Sequence, residues 1–404
     1  MRYWSIFLGQ ALSLIGSALT QFVLIWWITD TTGSVAALAM AGFVALLPYA
    51  LLGPLGGTFA DRYSRRLLMI SADFVSALCM AVLIGLFLTG LVELWHVYTM
   101  MFVRSAAQAF QGPAASASVA MLVPASFLPR AAGLNQTLQG IMTVAAAPLG
   151  ALAISVMPMG YALAIDVVTA VLGIVPLLIF AIPQIRVPKE DRKGLWTEFR
   201  EGVHLVWSSP GLVRLYALLM ATVLVIMPSF TLVPLLVKEH FRGGVEHVAL
   251  IEGLGGIGMI AGGLIVTALA PRRLIWWILL GFTTSCFALG FVAVAPADMF
   301  WLAVMFWVVS SVTFIIGDAP FITLIQSSVP NQLQGRVLSL LSTVMALAAP
   351  VGLALATPLG EMIGVRWLFV AMGMAGGVVS LMGFLSPALR RLETNAVHAA
   401  SEVK

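Results

Sequence analysis

Charge is what this chain has least of. Among 404 residues there are 21 Lys or Arg and 17 Asp or Glu, 9% in all, against about 25% in an ordinary soluble domain. Hydrophobic residues make up 61%, and the mean hydropathy is +1.04. A water-soluble fold cannot hide so much apolar side chain while covering its surface with so little charge. Polar low-complexity segments are missing too. The 37 Gly and 20 Pro sit among long apolar runs, which excludes a disordered chain. Cysteine is scarce: Cys79 and Cys286 stand alone in apolar windows, giving little support to a disulfide or a metal site. No Gly-x-x-x-x-Gly-Lys-Ser/Thr phosphate loop occurs, so nothing points to direct ATP drive, and no cofactor is expected. The net charge of +4 comes with no dense Lys/Arg stripe, so nucleic acid is not an expected partner. No cluster of acid, base and nucleophile suggests an enzyme.

What remains is an all-α membrane protein. A bilayer-crossing helix needs roughly 20 apolar residues. Twelve windows qualify, near 4–28, 35–56, 67–89, 96–118, 133–155, 161–182, 212–236, 247–268, 275–294, 299–320, 335–357 and 364–387. The first is read as a span and not a signal peptide, because it is long, carries Trp26 and Trp27, and lacks a small-residue cleavage site. Arg62, Arg65, Arg66, Arg130, Arg186, Lys189, Arg192, Lys193, Arg200, Arg272, Arg273, Arg390 and Arg391 fall on the side of the N-terminus, and Lys238, Arg242 and Arg366 on the other. That bias predicts cytoplasmic termini.

The polar segment 183–211 divides the spans six and six. The expected organisation is a six-helix bundle over 1–182, a cytoplasmic linker over 183–211, a second bundle over 212–387 and a cytoplasmic tail over 388–404. Residues 195–207 of the linker form either a short amphipathic helix or plain charged chain. The halves resemble each other at an offset of about 206 residues: Gly56-Gly57 answers Gly262-Gly263, Arg65-Arg66 answers Arg272-Arg273, and Val123-Pro124 with Arg130 answers Val329-Pro330 with Arg336. Repeated halves around a central path are a recurring plan of secondary transporters.

The loop between the second and third spans reads Gly57-x-x-x-Asp61-Arg62-x-x-Arg65-Arg66. Small residues at Gly53, Gly56, Gly57 and Ala60 permit close helix approach. Asp61 suits a helix N-terminus, and Arg62 can pair with a carboxylate or cap carbonyls of a neighbouring helix. Headgroup anchoring suffices to explain Arg65 and Arg66, but not Asp61.

This loop resembles the signature of the major facilitator superfamily. Within it, the chain is similar to the bacterial macrolide-efflux branch over nearly its full length. The similarity includes Gly9-Gln10-Ala11-x-Ser13-Leu14-Ile15, Leu47-Pro48-Tyr49-Ala50-x-x-Gly53-Pro54, Ile165-Asp166-Val167 and Gly335-Arg336-Val337-x-Ser339-Leu340. Ser64 replaces a usual Gly, the second copy of the loop lacks the Asp-Arg pair, and the fifth span has Ala147-Pro148-Leu149-Gly150 where antiporters carry Gly-Pro. The resemblance implies twelve transmembrane helices in two pseudo-symmetric six-helix bundles, and export of hydrophobic drugs in exchange for protons.

Ionisable groups inside a membrane are costly and are functional candidates by default. Arg104, Asp166 and Glu252 lie within spans and are the proton-coupling candidates. Arg104 and Asp166 can pair, either as a structural brace or as a switch. Asp61, Arg62, Gly57, Asp73, Arg66 and Asp318 are assigned to gating. Asp73 is expected to brace the loop with Arg62 or Arg66, and Asp318 sits at a Gly317-Asp318-Ala319-Pro320 break. Gln21, Phe22, Gln108, Asn135, Gln136, Gln139 and Met227 are the substrate-cavity residues, although the amides serve equally well as bonds between helices. The expected protein is a monomeric alternating-access exporter in the bacterial inner membrane. Its partners are a hydrophobic small molecule, protons and membrane lipid. An exporter or flippase of a metabolite, siderophore or lipid is the nearest alternative; a non-transporting sensor or scaffold is a rival of another class.

Overall fold

A computed structural model describes residues 2–182, 207, 210–271, 273–328 and 331–389. Apart from two short 3-10 turns, the regular structure among the described residues is α-helical. The helices are α1 (Arg2–Thr32), α2 (Val35–Arg62), α3 (Arg65–Thr89), α4 (Leu94–Leu122), α5 (Leu128–Val156) and α6 (Met159–Ile179), then α7 (Pro210–Glu239), α8 (Val245–Leu269), α9 (Leu274–Val294), α10 (Phe300–Ser328) and α11 (Asn331–Met382). Helix α11 is broken at Gly364, where φ is 79° and ψ 159°. Only glycine adopts that conformation without strain, so the helix is two arms.

Local sequence sets the ends. Ser34 accepts from the Ala37 amide at 3.3 Å to start α2, and Ser64 caps α3 through Leu67 at 3.4 Å. These hydroxyls satisfy amides that have no intrahelical partner. Gly90, with φ 70°, ends α3. Prolines 48, 54, 113, 148 and 176 lie inside helices, as membrane helices tolerate.

Ten helical stretches among the described residues are long and apolar enough to cross a membrane, with Val344–Leu385 counted once. Helix α4 is outside that set; it carries Arg104, Gln108 and Gln111. The polarity of α6 is inverted relative to a soluble helix. Gly160, Ala162, Leu163, Asp166, Ala170, Gly173 and Leu177 are buried along one face. Tyr161, Val168, Val171, Leu172, Val175 and Leu178 point outward. The only carboxylate of the helix faces the protein, and its exterior is hydrocarbon. The chain is an all-α, multi-spanning membrane protein.

The described residues fall into two compact units. One lies within Met1–Arg192 and Gly244–Gly253, the other within Lys193–Gly243 and Leu254–Lys404. Most of the expected linker, including the segment 195–206, and the tail from residue 390 lie outside the described residues, as do Arg272, Val329 and Pro330 and the side chain of Arg336.

Candidate functional site

Small residues bring the helices of the first unit together. Helices α1 and α6 meet along Gly9, Ser13, Gly16, Thr169 and Gly173; a methyl on Gly9 would come within 2.8 Å of the Leu172 carbonyl, and one on Gly173 within 3.0 Å of Ser13 Cβ. Close backbone approach of this kind is what small residues permit in a membrane. It brings polar side chains from four helices into contact.

Two polar layers result. In the first, Arg104 on α4 bonds Asp166 on α6, Nη2 to Oδ2, at 2.8 Å. The other carboxylate oxygen accepts from Ser17 Oγ on α1 at 2.8 Å. Arg104 Nη1 reaches Met80 Sδ on α3 at 3.7 Å, and its Nε is buried with no hydrogen-bond partner among the described residues. Both ionic side chains are almost wholly buried, at 5% and 1% exposure. In the second layer, Asp73 on α3 accepts from Gln10 Nε2 at 2.9 Å and from Gln111 Nε2 at 2.7 Å. Gln111 Nε2 also donates to Gln10 Oε1 at 3.0 Å, and Gln10 Nε2 to the Gly173 carbonyl at 3.3 Å.

The layers are in register. Gln10 and Ser17, Asp73 and Met80, Gln111 and Arg104, and Gly173 and Asp166 are each seven residues apart. Seven residues return to nearly the same helix face about 10 Å along the axis. Each of the four helices therefore supplies one group to each layer.

Asp73 is therefore not the partner of Arg62 or Arg66, contrary to the sequence expectation. Arg62 is exposed and makes no hydrogen bond or ion pair with described residues. Arg66 donates through Nε to the Leu177 carbonyl and through Nη2 to Leu178 at 2.6 Å. Arg65 is buried and donates to the carbonyls of Ala60 at 3.2 Å and Ala117 at 2.7 Å. The two arginines tie α3 to the ends of α2, α4 and α6, so headgroup anchoring is not a sufficient account of them. Gly57 faces open space; the close approach belongs to its neighbour Gly56, where a methyl would overlap the Ala109 carbonyl. Asp61 is the penultimate residue of α2, and its side chain lies outside the described residues.

Between α1, α2, α4 and α5 of the first unit lies a cavity of about 520 Å³, lined by Tyr3, Gln10, Tyr49, Gln108, Gln111, Asn135, Gln136 and Gln139 among apolar groups. Among the described residues its lining contains no acid and no base. Gln108, Asn135, Gln136 and Gln139 have no side-chain hydrogen bond to described residues, and the buried Tyr3 hydroxyl has no partner. Three of the expected cavity residues are elsewhere. Gln21 is half-buried on α1 outside the lining. Phe22 is buried against Gly150. Met227 belongs to the second unit, on α7. Gln111, an amide the sequence marks either for the cavity or for bonds between helices, does both. Gln10, Tyr3 and Tyr49 are not among the expected cavity residues, although seven-residue spacing aligns Gln10 with Ser17.

Glu252 falls in the stretch of α8 grouped with the first unit. It and Asp318 on α10 are half-buried and have no polar partner among the described residues. The apolar core of the second unit contains paired hydroxyls. Ser285 and Ser310 each donate to the other's carbonyl at 2.9 Å, and Thr222 lies 3.4 Å from Ser380.

A multi-spanning helical membrane protein with an intramembrane ion pair and an amide-lined cavity has the build of a solute transporter. The chain matches the Major Facilitator Superfamily over residues 6–353 and belongs to that family. It is therefore a transporter and not an enzyme. It is 30% identical over 400 residues to macrolide efflux protein A of Streptococcus pyogenes, covering 97% of this chain and 96% of that protein. It is 31% identical over 329 residues to macrolide efflux protein A of Enterococcus faecalis, covering 80% and 100%. Its fold is similar to a bacterial homolog of the human lysosomal transporter Spinster, with a TM-score of 0.73, 14% identity and 98% of each chain covered.

Proposed function

We propose that this protein is a secondary active exporter of hydrophobic or amphiphilic, macrolide-like compounds, working by alternating access in exchange for protons. The observation that carries the substrate class is the 30% identity to a macrolide efflux protein over 97% of this chain. The cavity chemistry agrees with it: unpaired amides among apolar walls offer hydrogen bonds to a molecule rich in hydroxyls and carbonyls without demanding a charge. Twelve crossings form two pseudo-symmetric six-helix bundles, over 1–182 and 212–387. Adding α4 and dividing α11 at Gly364 takes the ten apolar stretches to twelve. Both termini, the linker 183–211 and the tail 388–404 are cytoplasmic, and the monomer in the bacterial inner membrane is the working unit.

Asp166 carries the proton. Protonation removes the charge that holds Arg104 and lets α4 and α6 shift relative to each other. Glu252 is the second carboxylate placed to take part. Asp61, Arg62, Gly57 and Arg66 at one end of the first unit, and Asp318 in the second, gate access. The test is uptake of tritiated erythromycin into proteoliposomes containing the purified full chain, under an imposed pH gradient. Accumulation that follows the gradient and is lost in Asp166→Asn supports the reading. Equal uptake with and without the gradient removes proton exchange, and no uptake above protein-free vesicles removes the substrate class. Transport of a lipid or siderophore instead would favour the metabolite-exporter alternative.

A further inference from the structure

Asp73 sits one layer behind the cavity and is not required by the proton pathway just described. It is 4% exposed. Both of its oxygens are bound by amides, from Gln10 at 2.9 Å and Gln111 at 2.7 Å, and both glutamines line the cavity. Their four amide hydrogens are all spent inward: two on Asp73, one on Gln10 Oε1 and one on the Gly173 carbonyl. Gln111 Oε1 has no partner among the described residues, so this pair offers the cavity acceptors and no donor.

That arrangement holds only while Asp73 is a carboxylate. A proton arriving from cavity water on Oδ1 turns that oxygen from acceptor to donor. It then faces the Gln111 Nε2 hydrogen, and two donors cannot share a bond. The cheapest relief is a turn of the Gln111 amide about its last torsion. Oε1 swings in to accept from Asp73 and Nε2 swings out to the cavity. The bond that Nε2 gave to Gln10 Oε1 is lost, so that oxygen must take a donor from the cavity side. No helix needs to move. We propose that Asp73 is a positioning residue whose protonation state selects, through Gln111, whether that amide shows the cavity's ligand a hydrogen-bond acceptor or a donor.

Among the described residues, no cation is in contact with Asp73 to fix its charge. The groups presented to it are Gln10 from α1, Gln111 from α4 and the Gly173 carbonyl with which Gln10 is shared from α6. Ionisable groups facing the same core are Arg104 on α4 and Asp166 on α6, seven residues along and bound to each other. On α3 itself there are Arg65, bound to carbonyls, Arg66, also bound to carbonyls, and Cys79. On α1 there is Tyr3. Asp166 has a guanidinium partner; Asp73 has only neutral ones.

The proposal deepens the export reading and rests on it for the ligand, so its test has an arm without one. Wild type, Asp73→Asn and Gln111→Met are purified as full chains in lipid nanodiscs. Binding of tritiated erythromycin is measured against pH, and protonated-carboxyl bands are followed by infrared difference spectroscopy in the ligand-free protein. Wild-type affinity is expected to change about fivefold to a hundredfold across the titration of Asp73, the effect of gaining or losing one buried hydrogen bond. Measured in an Asp166→Asn background, which removes the coupling proton, Asp73→Asn should flatten the remaining pH dependence and lose one carboxyl band. Gln111→Met in the same background should keep that band but flatten the remaining pH dependence. The Gln111→Met variant separates the amide turn from any general damage done by altering Asp73. A pH profile in either variant that matches the Asp166→Asn background overturns the proposal. If erythromycin binds at no pH, the macrolide reading fails, and the infrared arm decides alone. A pH-dependent carboxyl band that Asp73→Asn removes, accompanied by a shifted glutamine amide band that Gln111→Met removes, supports the relay. Absence of either overturns it.

Discussion

Replacing Asp166 by alanine tests whether the Arg104–Asp166 pair holds the first unit together. Among described residues, Arg104 depends on Asp166 for its compensating charge. Its other contact is the Met80 thioether at 3.7 Å, and Nε is already unpartnered. Removing the carboxylate leaves a guanidinium at 5% exposure with a weak acceptor and no anion. Ser17 also loses its acceptor, although a helical serine can turn back to its own helix backbone. Stranding one member of a buried pair costs about 3–5 kcal/mol, or roughly a hundredfold to a few thousandfold in the unfolding equilibrium. Asp166→Asn keeps the shape and one acceptor, so it falls below that range. The double variant Arg104→Met with Asp166→Leu removes both charges and fills the space with apolar atoms, an exchange that is often close to neutral in buried pairs. The assay is unfolding in mixed micelles titrated with a denaturing detergent, read by tryptophan fluorescence, as a double-variant cycle. A cost for Asp166→Ala under about 1 kcal/mol, the range of a solvent-exposed pair, would refute the reasoning. So would a double variant less stable than either single one.

Two further predictions concern the end of the first unit where α2 meets α3. Gly56→Ala should destabilise by about 1–3 kcal/mol, the usual effect of overpacking, because its methyl meets the Ala109 backbone. Gly57→Ala has free space and should change the unfolding midpoint little; equal effects of the two would contradict the packing of α2 on α4. Arg65→Gln should lower the thermal midpoint, while Arg62→Gln, on an exposed side chain, should leave it in place. A larger loss for Arg62→Gln in the same thermal scan would show that the carbonyl contacts of Arg65 are not what matters.

The helices were legible because a membrane span advertises itself as a long apolar run, and the windows at 35–56 and 67–89 fall inside α2 and α3. The pairing of Arg104 with Asp166 was legible for the same reason, since in a chain with so few charges each one stands out. The surroundings of Asp73 were not. Glutamine carries no charge to mark it, and contacts between residues 63 and 38 positions apart depend on how each helix is rotated. Rotation also separates Gly56 from Gly57: one residue is 100° around the helix, and only one of the pair can face α4. Arg65 and Arg66 are visible as charges, but their acceptors are backbone carbonyls, which no side-chain pattern records. Seven-residue spacing was the usable signal. Applied to Arg104 and Asp166, it leads to Gln111 and Gly173.

The carbonyls gripped by Arg65 and Arg66 have a consequence for how the protein is made. The arginines enter the membrane with α3, but Ala117 lies 52 residues downstream of Arg65 and Leu178 lies 112 residues downstream of Arg66. At a synthesis rate of about 5–20 residues per second, Arg66 waits roughly 6–22 s for its acceptor to leave the ribosome. Until then its guanidinium must be served by water, lipid phosphate or the insertion machinery. Helices α1 to α5 can be threaded one after another, but this end of the unit cannot lock before α6 arrives. Helix α6 is the one that locks this end, and a nascent chain cut short of it would have Arg65 already on Ala60 and Ala117 but Arg66 still seeking its acceptors.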